Sequence, residues 1–347
     1  MAQLSTRIIL LDPTAPDPQS IAEAAGLIRA GELVAFPTET VYGLGADGLN
    51  PAALRRIYMV KGRPPDNPLI LHIASRDQLC SVAAAIPDAA AVLMEAFWPG
   101  PLTLVLPRAA SVPDVATGGL DTVAVRMPAH PVALALIDAA HTPLAGPSAN
   151  RSGRPSPTTA QHVFDDLQGH IPLILDAGPT VIGVESTVLD VTCTPPVVLR
   201  PGGVSREVIE ALIGPLQQTG EPGMQRRSPG TRYRHYSPKA TVLLLDPDQP
   251  EKLRETVAAA IQHGQRVGCL LHHLDLGDTV PDVTVTRVSG GVADYAQALF
   301  AALRALDACG VGVILVEAVP EEGIGVAVMD RLRRAASAPG PEQPPVP

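Results

Sequence analysis

The sequence predicts an α/β protein of two domains, and three observations carry that reading. Short β-rich runs alternate with helical patterns through the first two hundred residues, as in sheets covered by helices. The 347 residues exceed the length of one average domain of roughly 150 residues. Between the halves lies a stretch, 216–239, rich in proline and glycine and without an apolar period. Charge divides the chain at the same places. Residues 1–215 carry 13 basic and 20 acidic groups (net −7), residues 216–239 carry 5 and 1 (net +4), and residues 240–347 carry 8 and 14 (net −6). The expected parts are a sheet domain over 1–215, a basic linker over 216–239, a second α/β domain over 240–336 and a disordered, proline-rich tail over 337–347.

Each element follows from its local pattern. "PQSIAEAAGLIRAG" (18–31) reads as a helix and "ELVAFPT" (32–38) as the strand after it. "NPAALRRIYMVKG" (50–62) is a helix with Asn50 at the cap and Pro51 in the first turn. Strands are expected at 69–74, 102–107, 122–128, 171–178 and 186–192, and helices at 130–141 and 205–214, the last opened by Ser205. Beyond the linker, "ATVLLLD", a helix over 251–263, "RVGCLL", a helix over 292–308 and "GVILVEA" form a second α/β series.

Composition narrows the function. Hydrophobic residues at 46% and charged residues at 18% describe a globular chain with cores built from aliphatic residues. Aromatics at 3% leave few rings for stacking bases, and a net charge of −9 opposes broad nucleic-acid binding, so no stable nucleic-acid complex is expected. The four cysteines lie far apart without a CxxC pair, which excludes a zinc ligand set and a disulfide framework. No signal-peptide pattern opens the chain, and no apolar run reaches the ~18–20 residues of a membrane span. A cytoplasmic protein with no membrane contact is expected.

Several motifs dissolve on inspection. "GLGADG" (43–48) fits GxGxxG, but the dinucleotide fold needs the first glycine directly after a strand and a helix opening within the motif. Here "TETVY" (38–42) intervenes and the helix opens only at Asn50. "GPSAN" (146–150) fails GxSxG at Asn150, and its hydroxyl and amide suit hydrogen bonding to a ligand better than nucleophilic attack. His272–His273 has no spaced carboxylate or cysteine and reads as a surface pair. No metal ligand set is expected.

The scattered polar residues make a better pattern. Thr38, Glu39, Thr40 and Tyr42 follow the first strand. Lys61, Arg63 and Asn67 sit in "KGRPPDNP" among Pro64, Pro65 and Pro68, with His72 just beyond. Thr122 and Arg126 lie on one strand, Ser148 and Asn150 in a turn, Ser186 and Thr187 at a strand start, and Arg200 at a strand end. Strand ends are where open α/β sheets bind ligands. Lys61, Arg63, Arg126 and Arg200 imply a polyanion, and the hydroxyls and amides imply a second, small polar ligand. The competing reading of residues 59–73 is a solvated basic loop.

These residues also carry a resemblance. "FPTETVYGLG", "KGRPPDNPLILH", "WPGPLTLVL", "VAVRMPAHP", "GPSANRSGRPSPT", "ESTVLD" and "VLRPGG", in this order over 20–215, resemble the YrdC-like threonylcarbamoyl-AMP synthase family. "SPGTRYRHYSPKA" and "GIGVAVMDRLRRAA" resemble its two-domain form. The resemblance implies a YrdC-like twisted open sheet followed by a smaller Rossmann-like α/β domain. It also implies a nucleotidyltransferase that joins L-threonine, bicarbonate or CO2, and ATP into threonylcarbamoyl-AMP and pyrophosphate. That product would supply the tRNA threonylcarbamoyladenosine modification through downstream tRNA threonylcarbamoyl-transfer proteins.

By the same resemblance, Lys61 and Arg63 are catalytic. Arg63, Asn67, Thr122, Asn150, Thr158, Arg200 and Tyr236 hold the nucleotide. Thr40, His72, Arg126, Ser148 and Ser186 hold threonine, with Thr38 an alternative to Thr40. Mg²⁺ arrives on the ATP phosphates, and Arg232, Arg234 and His235 form a linker lid. A double-stranded RNA-binding module and a carbamoyltransferase handling a carbamoyl-adenylate are the competing functions. The acidic first domain opposes the former, and the lack of acylphosphatase or zinc-finger segments opposes the latter.

Overall fold

The computed structural model describes residues 4–217, 227–228, 236–277 and 280–336. Arg232, Arg234, His235 and the tail from 337 lie outside the described residues. The described residues fall into two compact units: 4–152 with 156–217 and 227–228, and 153–155 with 236–277 and 280–336.

The first unit is a ten-stranded mixed sheet. Its strands are β1 (Arg7–Leu10), β2 (Val34–Phe36), β3 (Gly43–Asp47), β4 (Ile70–His72), β5 (Leu102–Pro107), β6 (Thr122–Arg126), β7 (Leu144–Ala145), β8 (Leu173–Asp176), β9 (Thr187–Asp190) and β10 (Val197–Arg200). They are ordered β1-β8-β2-β3-β7-β4-β6-β5-β9-β10. Among the described residues seven α-helices accompany them: α1 (Pro18–Arg29), α2 (Pro51–Lys61), α3 (Asp88–Phe97), α4 (Asp114–Thr117), α5 (Pro131–Ala140), α6 (Ala160–Leu167) and α7 (Arg206–Ile213).

Local chemistry explains the helix starts. Asn50 accepts the backbone N–H groups of Ala52 and Ala53, Asp17 accepts that of Ser20, and His130 accepts that of Val132. A proline in the first turn of α1, α2 and α5 gives up an N–H that has no partner there anyway. Ser205 occupies the cap position of α7 without a side-chain capping bond.

Two cores hold the sheet. Leu54 and Ile57 of α2 pack with Leu44, Leu71, Leu104 and Val125, while Ile28 of α1 and Leu136 of α5 pack with Val34, Phe36 and Leu173. "GLGADG" supplies β3, which pairs antiparallel with β2. A Cβ on Gly43 or Gly45 would come within 2.8 or 3.1 Å of the Phe36 ring. The glycines therefore admit an aromatic ring, which accounts for the motif without a phosphate.

The second unit contains β11 (Thr241–Leu245), α8 (Pro250–Gln262), β12 (Val267–Leu271), β13 (Val283–Arg287), α9 (Val292–Ala308), β14 (Val313–Glu317) and α10 (Gly325–Ala336). Its four strands are parallel, in the order β11-β14-β12-β13. At the end of β14 the buried Glu317 carboxylate accepts the backbone N–H groups of His272, His273 and Leu274 at 2.6, 2.9 and 2.9 Å. The surface-pair reading of His272–His273 needs correction. His273 is exposed, but His272 is buried with its ring stacked on Tyr295. Among the described residues no helix is long and apolar enough to cross a membrane.

Candidate functional site

In the first unit the polar residues gather at the ends of β4, β6, β9 and β10. β4 and β6 run parallel with His72 opposite Arg126, so both side chains leave the same end of the sheet. Thr122, Ala124 and Arg126 share one face of β6, and Ile70 and His72 share one face of β4. Ile70, Val105, Ala124, Val188, Val197 and Leu199 form a small apolar cluster on that side.

Arg126 is buried, with each of its three nitrogens set against a different neighbour. Its Nε donates to the Gly100 carbonyl at 3.1 Å, Nη1 donates to Thr40 Oγ1 at 2.9 Å, and Nη2 lies 2.7 Å from Glu39 Oε1. That last contact is an ion pair without hydrogen-bond alignment, because Nη2 and both Glu39 oxygens lack a hydrogen-bond partner. Thr38 is spent locally: its Oγ1 donates to the Val41 carbonyl at 2.6 Å and accepts the N–H groups of Thr40 and Val41. Thr38 Oγ1 also lies 2.8 Å from Thr40 Oγ1, and of the two threonines Thr40 is the one that touches Arg126.

His72 is buried with Nδ1 unpartnered. Burial first, and the Arg126 charge second, push it from 6.5 down to about 3. The native state thus refuses a proton that the unfolded chain accepts. The stabilisation is complete above the unfolded value of 6.5 and is lost as pH falls from there toward about 3. His72→Asn should flatten the fall in denaturation midpoint across that window. An unchanged slope would show that His72 takes no part in it.

Ser186 and Arg200 meet beyond β6. Arg200 donates through Nη2 to the Ser186 carbonyl at 2.9 Å and to its Oγ at 3.2 Å, and Ser186 Oγ lies 2.7 Å from Thr103 Oγ1. Gly202 makes this approach possible, since a Cβ there would sit 2.2 Å from the Ser186 carbonyl carbon.

Lys61 and Arg63 overturn the solvated-loop reading, with 3% and 4% of their surfaces exposed. Lys61 Nζ, at the end of α2, donates to the carbonyls of Ser148 and Asn150. Ser148 Oγ donates to Asn150 Oδ1 at 2.6 Å, so its proton meets an amide and no base. Arg63 donates to the Asn67 and Pro68 carbonyls at 3.3 and 2.8 Å. The β4–β6 register pairs Ile70 with Ala124, which puts Thr122, at the start of β6, beside this segment. Thr158 is buried, with its hydroxyl 3.4 Å from His162 Nδ1.

Tyr236, expected at the nucleotide, is packed in the second unit. Its ring stacks on Phe300 at 5.3 Å, and the Arg331 guanidinium lies 5.3 Å from its centre. Thr103 was not among the expected site residues, and Glu39, named among the strand-end polar residues, was given no role. The signal for Glu39 was present: a lone carboxylate between two threonines directly after a buried strand.

Comparison with known proteins identifies the family. The Sua5/YciO/YrdC family model, described as telomere recombination, matches residues 26–202. A model described as threonylcarbamoyl-AMP synthase, C-terminal domain, matches residues 204–337. The chain is 51% identical over 327 residues to the threonylcarbamoyl-AMP synthase of Pyrococcus abyssi, covering 90% of this chain and 93% of that one. With the Bacillus subtilis threonylcarbamoyl-AMP synthase it shares 47% over 325 residues, covering 92% and 93%. The crystal structure of P. abyssi Sua5 complexed with L-threonine superposes with a TM-score of 0.90 at 50% identity, covering 95% of this chain and 97% of that one. From its strand ends to its second parallel sheet, the chain belongs to the Sua5/YciO/YrdC family, in the form that carries the Sua5 C-terminal domain.

Proposed function

We propose that this protein is a nucleotidyltransferase making L-threonylcarbamoyl-AMP and pyrophosphate from L-threonine, bicarbonate or CO2, and ATP. The observation that carries the reading is the buried Arg126 guanidinium, set beside hydroxyls at the strand ends, in a unit that also buries Lys61, Arg63 and Arg200. A guanidinium in such a place fits a carboxylate, and the remaining cations fit a triphosphate.

The chemistry asks for placement and charge. The neutral threonine amine adds to CO2 and loses an N–H proton to solvent, or condenses with bicarbonate with loss of water, to give a carbamate. The carbamate oxygen then attacks the α-phosphorus, and pyrophosphate leaves. Such a transfer needs no protein nucleophile. Arg126, with Thr40, His72, Ser148 and Ser186, would hold threonine. Arg63, Asn67, Thr122, Asn150, Thr158 and Arg200 would hold the nucleotide, with Lys61 against the phosphates. Mg²⁺ would arrive on the incoming triphosphate, whose oxygens are its usual ligands.

Pyrophosphate release should require ATP, L-threonine and bicarbonate together. Release at the full rate without threonine would overturn the reading.

The domain assignment is a catalytic domain over 1–215, a linker over 216–239 and a supporting domain over 240–336. The linker carries the one basic balance in the chain, +4, and a triphosphate is the anion it suits. A P. abyssi Sua5 variant with a His and a Tyr replaced by alanine at adjacent positions has also been solved, and His235–Tyr236 is such a pair here. ATP should slow trypsin cleavage after Arg232 and Arg234, most strongly with threonine present. Equal rates with and without ligands would leave the linker a tether. The product would serve downstream tRNA threonylcarbamoyl-transfer proteins in the cytoplasm.

A further inference from the structure

Glu39 is an anomaly in the first unit. Its side chain is 7% exposed, it touches the Arg126 guanidinium, and neither of its oxygens has a hydrogen bond. A buried carboxylate normally collects several donors, and one that collects none calls for a reason. Its backbone is held firmly, since its carbonyl accepts the Ile182 N–H at 2.9 Å, so the side chain is not misplaced by a loose loop. The other side chains assigned to threonine are a guanidinium, an imidazole held neutral by burial and three hydroxyls. None of these offers a negative charge to an ammonium group.

We infer that Glu39 receives the α-ammonium of threonine, and that the Glu39–Arg126 pair is exchanged for the two charges of the incoming amino acid. This inference rests on the threonine site proposed above. In the unliganded protein the two side chains neutralise each other. A zwitterion entering between them gives its carboxylate to Arg126 and its ammonium to Glu39, so one misaligned ion pair becomes two aligned ones. An acid without an amine occupies Arg126 and strands the Glu39 carboxylate. An amine without an acid strands the guanidinium. Leaving one member of a buried pair alone is strongly unfavourable, so the exchange selects for free α-amino acids. Glu39 then fixes specificity and holds the nitrogen in place, and the ammonium must hand a proton to the Glu39 carboxylate before the neutral amine can capture CO2.

Calorimetric titration tests this without turnover, using L-threonine, 3-hydroxybutyrate (threonine without its amine) and threoninol (threonine without its carboxylate). The wild-type protein should bind both analogues about 100-fold or more weakly than threonine. Glu39→Gln should weaken threonine by roughly 10- to 100-fold while tightening 3-hydroxybutyrate, because Arg126 is then free of its internal competitor. Opposite shifts for two ligands are not produced by general damage to the fold. Unchanged threonine affinity in Glu39→Gln would overturn the inference. Should that variant fail to fold, the wild-type comparison decides: 3-hydroxybutyrate binding as tightly as threonine overturns it. A wild-type protein that binds no threonine at all would instead remove the proposed function on which the inference rests.

Discussion

Arg126→Ala should weaken L-threonine binding by roughly 10- to 100-fold while leaving ATP affinity nearly unchanged. A charge-assisted hydrogen bond to a carboxylate contributes about 1.5–3 kcal/mol, which converts to that range. The same substitution should lower the melting temperature, because it abandons Glu39 in a buried position. Removing one partner of a buried pair costs about 3–5 kcal/mol, more than the loss of the hydrogen bonds to Thr40 and Gly100 would suggest. The two effects can be separated. Adding Glu39→Gln removes the stranded charge, so the double variant should regain much of its melting temperature and none of its threonine affinity. Equal losses for threonine and ATP in the single variant would move Arg126 to a structural role.

Lys61→Ala should reduce turnover by about 100-fold, the usual cost of removing one preorganised donor from a site of charge development. From the sequence alone, a Lys61 reserved for the ligand would leave the melting temperature nearly unchanged on replacement by alanine. The structure reverses that expectation. Its ammonium is buried and holds the carbonyls of Ser148 and Asn150, so alanine should also cost about 1–3 kcal/mol as those carbonyls lose their donor. Lys61→Met keeps most of the side-chain volume and discards the charge. If the methionine variant turned over at the wild-type rate, Lys61 would be only a strut for the turn at 146–150.

Legibility of the fold followed periodicity. α2 was readable to within a residue because Asn50, Pro51 and the apolar face all point to the same helix. β5 and α9 were readable for similar reasons of pattern and length. β3 was not, because its two glycines look like a loop until the Phe36 ring above them is known. β7, two residues long, and α4, four residues long, are too short for any period to show. The site was readable as residue types at strand ends. Its pairings were not, because Arg126 with Thr40 and Lys61 with Ser148 are set by sheet order across more than eighty residues of sequence. Glu39 was visible at a strand end but had no role there, because its unsatisfied oxygens can be counted only in the folded chain.

Glu317 decides what the second sheet can accept. The carboxyl edge of a parallel sheet, with backbone amides pointing outward, is where such folds take up phosphate. Here the amides following β12 are already occupied by a carboxylate from β14, the strand hydrogen-bonded beside it. An anion from solution would face a rival that is covalently attached and therefore present at very high effective concentration. Displacing that rival would leave its charge buried without a counterpart. The edge has become a clasp, with the socket of one strand latched by the end of its neighbour. A domain with the outline of a nucleotide binder is thereby latched against phosphate at that edge.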